Sequence, residues 1–131
     1  MTTIDDVAYR TIDGITLLAR LYRPDTDGPI KWMIDVHGGA WGSGDRLNNV
    51  IIHEDFVRNG IGVFAVDFRL SSAAQFPGPV ADVNYAVRWF KANAASLGVE
   101  AGPIGGLGSS SGGQQMGLVA FRPDDPLYCI A

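Results

Sequence analysis

The sequence contains little cysteine, no cluster of positive charge and no long apolar run. Its one cysteine, Cys129, excludes an internal disulfide and a cysteine-rich zinc site. Lys and Arg number 10 against 14 Asp and Glu, without a basic cluster, so we expect no nucleic-acid partner. No apolar stretch reaches the length of a membrane span, and the acidic residues 1–10 do not resemble a signal peptide. These absences predict a cytoplasmic protein with no metal and no cofactor.

The pattern of strands and helices predicts the fold class. Five strands are predicted, at residues 7–11, 15–22, 30–36, 61–68 and 103–107. Three helices are predicted, at residues 45–59, 80–97 and 111–121. The order β-β-β-α-β-α-β-α predicts an α/β fold whose mostly parallel sheet starts with an antiparallel hairpin and carries helices on both faces. With 131 residues, we expect residues 1–131 to form a single domain.

A small-residue segment near the end of the chain fits a nucleophile motif. Gly108-Ser109-Ser110-Ser111-Gly112 matches G-x-S-x-G, in which a sharp strand-to-helix turn presents the central serine, here Ser110. The glycines on either side, Gly108 and Gly112, relieve the crowding that such a turn produces. The predicted strand before this motif and the helix after it supply the context that the motif needs.

A second glycine-rich segment directly follows the strand at residues 30–36. It reads His37-Gly38-Gly39-Ala40-Trp41 and lies, like Ser110, at the carboxyl end of a strand, where α/β sheets place their sites. Neither segment has the glycine spacing of a dinucleotide fingerprint, and no lysine follows in the manner of a phosphate loop. The remaining alternative is that the glycines only allow tight helix–strand packing.

Together these motifs resemble the esterase/lipase branch of the α/β-hydrolase family, related to hormone-sensitive lipase and acetyl esterases. His37 to Trp41 is similar to that branch's H-G-G-G loop, residues 67–70 (Asp-Phe-Arg-Leu) to its D-Y-R-L segment, and residues 108–113 to its elbow. The H-G-G-x-W form also resembles kynurenine formamidases. The match runs along the whole chain, but only onto the first half of a family member.

The resemblance implies a role for each motif residue. Ser110 is the implied nucleophile, and the implied oxyanion hole consists of the backbone N–H of Ser111 with those of Gly39 and Ala40 or Gly38. Ala40 replaces the third glycine of H-G-G-G, which a hole built from backbone donors tolerates if the dihedral angles allow it. His37 and Trp41 are expected to support the loop, and His37 is not expected to be the catalytic base.

Several other polar and aromatic residues are expected to have structural roles or to line the site. We expect His53 at the core edge or on the surface, because it lies in the middle of a predicted helix. Asp67 is expected to pair with Arg69 or with backbone amides. Trp41 and Phe76 are expected either to pack or to line an acyl pocket, and the side chains of Ser109 and Ser111 to stabilise the turn.

Two members of a Ser-acid-His triad have no candidate in the sequence. No histidine follows Ser110, and Asp124 and Asp125 lie too close to the elbow helix to be the acid. We therefore interpret the chain as the N-terminal portion of a longer hydrolase, a truncated domain that is inactive alone. Its last strand would be left without a neighbour, which predicts exposed apolar surface and self-association through the sheet edge.

The expected function is hydrolysis of small or medium acyl esters by a serine esterase, through an acyl-enzyme on Ser110. One alternative is an arylformamidase, which would take a small-molecule amide in place of an ester. The other is a hydrolase-like remnant without catalytic activity.

Overall fold

The computed structural model describes residues 2–130, and its centre is a five-stranded sheet in the order β1-β2-β4-β3-β5. The strands are β1 (Thr3–Ile12), β2 (Ile15–Arg23), β3 (Ile30–Val36), β4 (Gly62–Val66) and β5 (Ala101–Gly108). β2 pairs antiparallel with both β1 and β4, whereas β3 pairs parallel with β4 and β5. Of the five described strands, β2 therefore runs against the other four, and the α/β fold with its leading hairpin is confirmed.

The hairpin between β1 and β2 turns at Asp13 and Gly14. Both residues have positive φ, 52° and 74°, as a two-residue turn matched to the strand twist requires. β1 is longer than expected from its apolar pattern, because its acidic beginning also pairs with β2. There Arg20 donates two hydrogen bonds of 3.0 Å to the carboxylate of Asp6 across the two strands.

The helices are α1 (Val50–Arg58), α2 (Gly78–Asn93) and α3 (Ser111–Phe121), and a 3₁₀ turn (Ala95–Leu97) follows α2. The predicted bounds of α3 are confirmed, whereas α1 begins five residues later than expected. In residues 45–49, Asp45 Oδ1 accepts the N–H of Leu47 at 2.8 Å and Asn48 Oδ1 accepts that of Asp45 at 3.3 Å. Such local side-chain bonds compete with the helical pattern.

The helices lie on both faces of the sheet, as predicted. Alternate residues of β4 point to opposite faces: Val63 and Ala65 pack with Val57 of α1 and with Tyr22. Phe64 and Val66 belong to the larger core, together with Phe90 of α2 and residues of α3. Burial of these apolar side chains supplies the main driving force for folding.

A fully buried carboxylate, that of Asp82 on α2, binds two arginines. Arg69 reaches it from the loop after β4 at 2.9 Å, and Arg10 reaches it from β1 at 3.0 Å. The backbone N–H of Arg69 also donates to Asp82 Oδ2 at 2.9 Å. The pair thus fixes the loop after β4 to the helix layer.

No helix in residues 2–130 is both long enough and apolar enough to cross a membrane. The cytoplasmic location stays a prediction.

We expect Asp82→Ala to lower the free energy of unfolding by about 3–5 kcal/mol, because two guanidinium groups would be left buried without their partner. Urea denaturation of the 131-residue chain measures this loss. The matched control is Asp55→Ala, which removes an exposed carboxylate whose pair with Arg58 lies within α1, and it should leave the midpoint unchanged. Equal midpoints for the two variants would contradict a structural role for the buried pair.

Candidate active site

Ser110 lies at the sharp turn between β5 and α3. Its φ of 52° and ψ of −120° are uncommon for a residue with a side chain, and it occupies the N-cap position of α3. The side chain is exposed, and no described residue hydrogen-bonds its hydroxyl oxygen. A strained turn thus holds a free hydroxyl at the end of the sheet, which is the geometry of a nucleophile elbow.

The two glycines around Ser110 lie where no side chain fits. A Cβ atom on Gly112 would lie 2.0 Å from the carbonyl oxygen of Val36, and one on Gly108 would lie 2.5 Å from the carbonyl oxygen of Gly112. Helix α3 therefore approaches the ends of β3 and β5 with backbone against backbone. The glycines at these positions make the elbow possible.

The loop after β3 folds over the elbow. A Cβ on Gly38 would lie 3.0 Å from the carbonyl oxygen of Ser109 and 3.3 Å from Cβ of Ser110, so this loop contacts the elbow directly. Gly39, Ala40 and Trp41 all have positive φ, at 129°, 51° and 62°. Ala40 thus adopts a conformation that usually favours glycine, as expected from its place in the motif.

Backbone donors of this loop and of the start of α3 lack acceptors. Among the described residues, no acceptor takes the N–H groups of Gly39 and Ala40, and the N–H of Ser111 is free as the first of a helix. The N–H of Trp41 instead donates to Ser111 Oγ at 3.2 Å. The Ser111 hydroxyl therefore ties the loop to the elbow.

The side chains of His37 and Trp41 hold the loop from two directions. His37 is buried, with Nδ1 2.6 Å from the carbonyl oxygen of Gly38, and its ring stacks on Phe68 at 4.4 Å between centroids. Trp41 Nε1 donates to Gln114 Oε1 on α3 at 3.1 Å. Both contacts agree with the expected role of these side chains in supporting the loop. Among the described residues, His37 makes no hydrogen bond with Ser110.

The expectation for His53 is wrong, because its ring is fully buried. His53 Nε2 lies 2.5 Å from Oδ2 of Asp35, a buried carboxylate on β3. The sequence contained a usable signal: His53 stands three residues after Val50 and four before Val57, on the apolar side of α1.

Asp67 pairs with a residue that we did not predict. Its carboxylate accepts the backbone N–H of Arg46 at 2.8 Å and the Arg46 guanidinium at 3.1 Å, while Arg69 binds Asp82 instead. Only the backbone-amide part of the expectation is therefore correct. Arg46 also bonds Asp6, and hydrogen bonds from Arg20 and Arg46 hold the pKa of the Asp6 carboxyl well below its usual range. This network fixes the segment that follows the glycine-rich loop.

A cleft of about 390 Å³ lies beside the loop. It is lined mainly by apolar atoms and contains both aromatic residues that we considered for an acyl pocket, Trp41 and Phe76, which are exposed. Gln114, one helical turn after Ser110, closes one wall.

Within residues 2–130, no group of three or more His, Cys, Asp or Glu side chains could hold a metal ion.

Comparison with known proteins assigns the chain to a family. The BD-FAE family model matches residues 20–126. The chain belongs to the BD-FAE family, an esterase family of the α/β-hydrolases. Over 121 residues this BD-FAE chain is 32% identical to an ethyl acetate hydrolase of Pseudomonas putida, covering 89% of this chain and 38% of that protein.

Solved esterase structures share the fold of this BD-FAE chain. A bacterial heroin esterase superposes with a TM-score of 0.78 at 29% identity, covering 87% of this chain and 37% of that one. An esterase of Thermogutta terrifontis with bound propionate gives 0.80 at 28% identity, covering 88% and 44%. The chain thus spans less than half the length of these relatives.

We expect Gly112→Ala to destabilise the fold by more than the 1–3 kcal/mol typical of overpacking, because the obstructing atoms are backbone carbonyls of β3. The matched control is Gly117→Ala on the same helix, where an added Cβ meets nothing within 4 Å. This variant should gain about 0.5–1 kcal/mol, because alanine favours a helix over glycine. Urea midpoints that move in the same direction would contradict the close approach at Gly112.

Proposed function

We propose that the chain contributes the nucleophile and the oxyanion hole of a serine carboxylic-ester hydrolase for small or medium acyl esters. The observation that carries this proposal is the exposed Ser110 hydroxyl on a strained turn, beside unpaired N–H donors of a second loop. Family membership supports the reaction class, and the names of the relatives, an ethyl acetate hydrolase and a propionate-bound esterase, support short acyl groups.

In the proposed reaction, Ser110 Oγ attacks the ester carbonyl carbon and its proton passes to a base. The carbonyl oxygen becomes an oxyanion, which accepts hydrogen bonds from the N–H groups of Ser111, Gly39 and Ala40. Preorganised donors of this kind contribute about 10²–10³ in rate each. When the tetrahedral intermediate collapses, the bond to the ester oxygen breaks, that oxygen takes the proton back from the base, and the alcohol leaves with the acyl group remaining on Ser110. Water then attacks the acyl-enzyme with the same base and oxyanion donors, which releases the carboxylic acid and returns the proton to Ser110.

The base and the acid are proposed to come from residues outside the 131. His37 and His53 are both buried, and each is engaged elsewhere, with Gly38 and with Asp35 and Tyr22 respectively. The relatives are more than twice as long as the matched segment, which leaves room for both groups. Without them, the oxyanion hole and substrate binding leave only about 10³–10⁴ over water, so the 131-residue chain alone is proposed to be inactive.

The cleft at Trp41 and Phe76 is the proposed acyl pocket. Its apolar lining suits an alkyl chain. Gln114, which lines the cleft, lies one helical turn after the proposed nucleophile Ser110, so the cleft is close to that residue. A cleft of this volume accommodates a short acyl chain without deformation.

An arylformamidase is the second candidate, and Trp41 in H-G-G-x-W is the feature that favours it. An N-formyl amide offers the same carbonyl chemistry with a smaller acyl group. The third candidate, a remnant without catalysis, differs from both in predicting no acyl-enzyme.

We expect Ser110→Ala in the full-length hydrolase to lower kcat on p-nitrophenyl butyrate by about 10⁴-fold or more, because the nucleophile is lost. Ser96→Ala, on an exposed serine whose hydroxyl donates to the carbonyl oxygen of Asn93, is the matched control and should retain full activity. Initial rates with purified proteins measure both. Equal rates for the Ser110 variant and the parent would rule out the nucleophile assignment.

Parallel assays of the parent on N-formylkynurenine and on p-nitrophenyl butyrate separate the two catalytic candidates. The ester hydrolase predicts the larger kcat/KM on the butyrate. A larger kcat/KM on N-formylkynurenine would favour the arylformamidase. A folded protein that hydrolyses neither substrate would favour the remnant without catalytic activity.

We also propose that the 131-residue chain self-associates through β5. Within the described residues, β5 pairs with β3 on one side, and Pro103, Gly105 and Gly106 are exposed. An open edge of unpaired backbone groups is a template for a second chain. Sedimentation velocity should show an oligomer whose fraction rises with concentration, and a monomer at every concentration would contradict this.

A further inference from the structure

A chain of buried polar side chains lies directly behind the elbow. It starts at Asp35 and His53, which are 2% and 0% exposed and stand 2.5 Å apart between Oδ2 and Nε2. Asp35 belongs to β3, the strand between β4 and β5, and points to the face that α1 covers. A buried carboxylate costs free energy unless its oxygens accept hydrogen bonds, so the stability of Asp35 in this position depends on its partners.

Asn49 connects this pair to the elbow. Its Nδ2 lies 3.2 Å from Asp35 Oδ2 and 3.2 Å from Oγ of Ser109, the residue before the proposed nucleophile. Asn49 occupies the N-cap position of α1, where asparagine normally accepts a hydrogen bond from the helix, yet it makes no cap bond. The Asn49 side chain does not cap the helix and instead donates to Asp35 and Ser109.

The direction of each hydrogen bond follows from chemistry. A carboxylate only accepts, so His53 donates from Nε2, and its Nδ1 lies 3.2 Å from the hydroxyl of Tyr22. Burial raises the pKa of Tyr22, so the phenol keeps its proton and can donate to Nδ1. Asn49 uses one amide hydrogen for Asp35 and the other for Ser109. A flip of the amide would place Oδ1 against the carboxylate and lose that bond, so the carboxylate fixes the amide orientation in which Ser109 Oγ accepts from Nδ2.

Ser109 in turn contacts the end of β3, the first turn of α3 and the loop after β3. Its N–H donates to the carbonyl oxygen of Val36 at 3.1 Å, and its own carbonyl oxygen accepts the N–H of Gly112 at 2.8 Å. The same carbonyl oxygen lies 3.0 Å from the position of a Cβ on Gly38, in the oxyanion loop. A shift of Ser109 would therefore move the nucleophile relative to the oxyanion donors.

We propose that Asp35 and His53 are positioning residues that act through Asn49 on Ser109 to hold Ser110 in its reactive geometry. This inference rests on the proposed esterase function. A buried ion pair or hydrogen-bonded pair adds little to stability compared with apolar residues of similar size. A misplacement of reacting groups by about 1 Å, in contrast, lowers the rate about 10²-fold. We therefore expect loss of the pair to lower kcat more than it lowers the stability of the fold.

The test is a double-mutant cycle in the full-length hydrolase, with Asp35→Asn, Ser109→Ala and both together. Each single variant should lower kcat on p-nitrophenyl butyrate about 10- to 100-fold, with KM unchanged, because the acyl pocket is not altered. The double variant should be no slower than the slower single variant, because both changes interrupt the same chain of contacts. Ser109→Thr, which keeps the hydroxyl, should restore kcat.

Asn84→Ala is the matched control, since it changes another buried polar side chain, whose hydrogen bonds join it to Arg88 and to the carbonyl oxygen of Pro123 and not to the elbow or the loop after β3. It should lower the unfolding midpoint and leave kcat at the parental value. Losses of kcat that add in the double variant, or a loss of the same size in Asn84→Ala, would overturn the proposal. If Asp35→Asn yields no folded protein, Asn49→Ala takes its place in the cycle, since it removes both amide donors and introduces no charge beside Asp35.

Failure of this inference is distinct from failure of the proposed function. If Ser110→Ala abolishes activity while the cycle leaves kcat unchanged, Asp35 and His53 have only a structural role. If Ser110→Ala leaves activity unchanged, the esterase assignment itself is wrong, and the positioning role fails with it.

Discussion

Strand β3 and helix α3 meet at Gly112 with no space for a side chain between their backbones. This contact puts the elbow at the last residue of β3, Val36, whose carbonyl oxygen also accepts the N–H of Ser109. The next residue, His37, begins the loop that carries the proposed oxyanion donors. The proposed nucleophile and the proposed oxyanion donors are therefore both anchored at the end of one internal strand, and their separation is set by the sheet and not by the course of a flexible loop.

Carboxylates that are buried or partly buried repeat this anchoring at other points. Asp82 holds the loop after β4 through Arg69, and Asp67 holds the segment after the oxyanion loop through Arg46. Asp35 does the same for the start of α1 through Asn49. In each case the carboxylate accepts from a specific donor on a connecting segment. Apolar packing could stabilise the layers equally well, but only such directional bonds fix the path of the chain between them.

The sequence predicted those features that depend on local rules. The hairpin at Asp13-Gly14, the strand at residues 30–36 and the helix at 111–121 follow from turn chemistry and apolar periodicity, and the structure confirms them. The pairing of His53 with Asp35 could not be predicted, because the two residues come from different segments of the chain. The late start of α1 has a similar cause, since side chains of residues 45–49 bond the backbone locally instead of continuing the helix.

The sheet order also has a consequence for how the protein folds. β3 and β5 lie side by side, yet α1, β4 and α2 separate them along the chain. Pairing them requires closure of a long loop, and non-local contacts of this kind form slowly. During synthesis, β3 and the glycine-rich loop after it emerge well before β5. The local hairpin of β1 and β2 can form in that interval, whereas the elbow assembles only after β5 has docked.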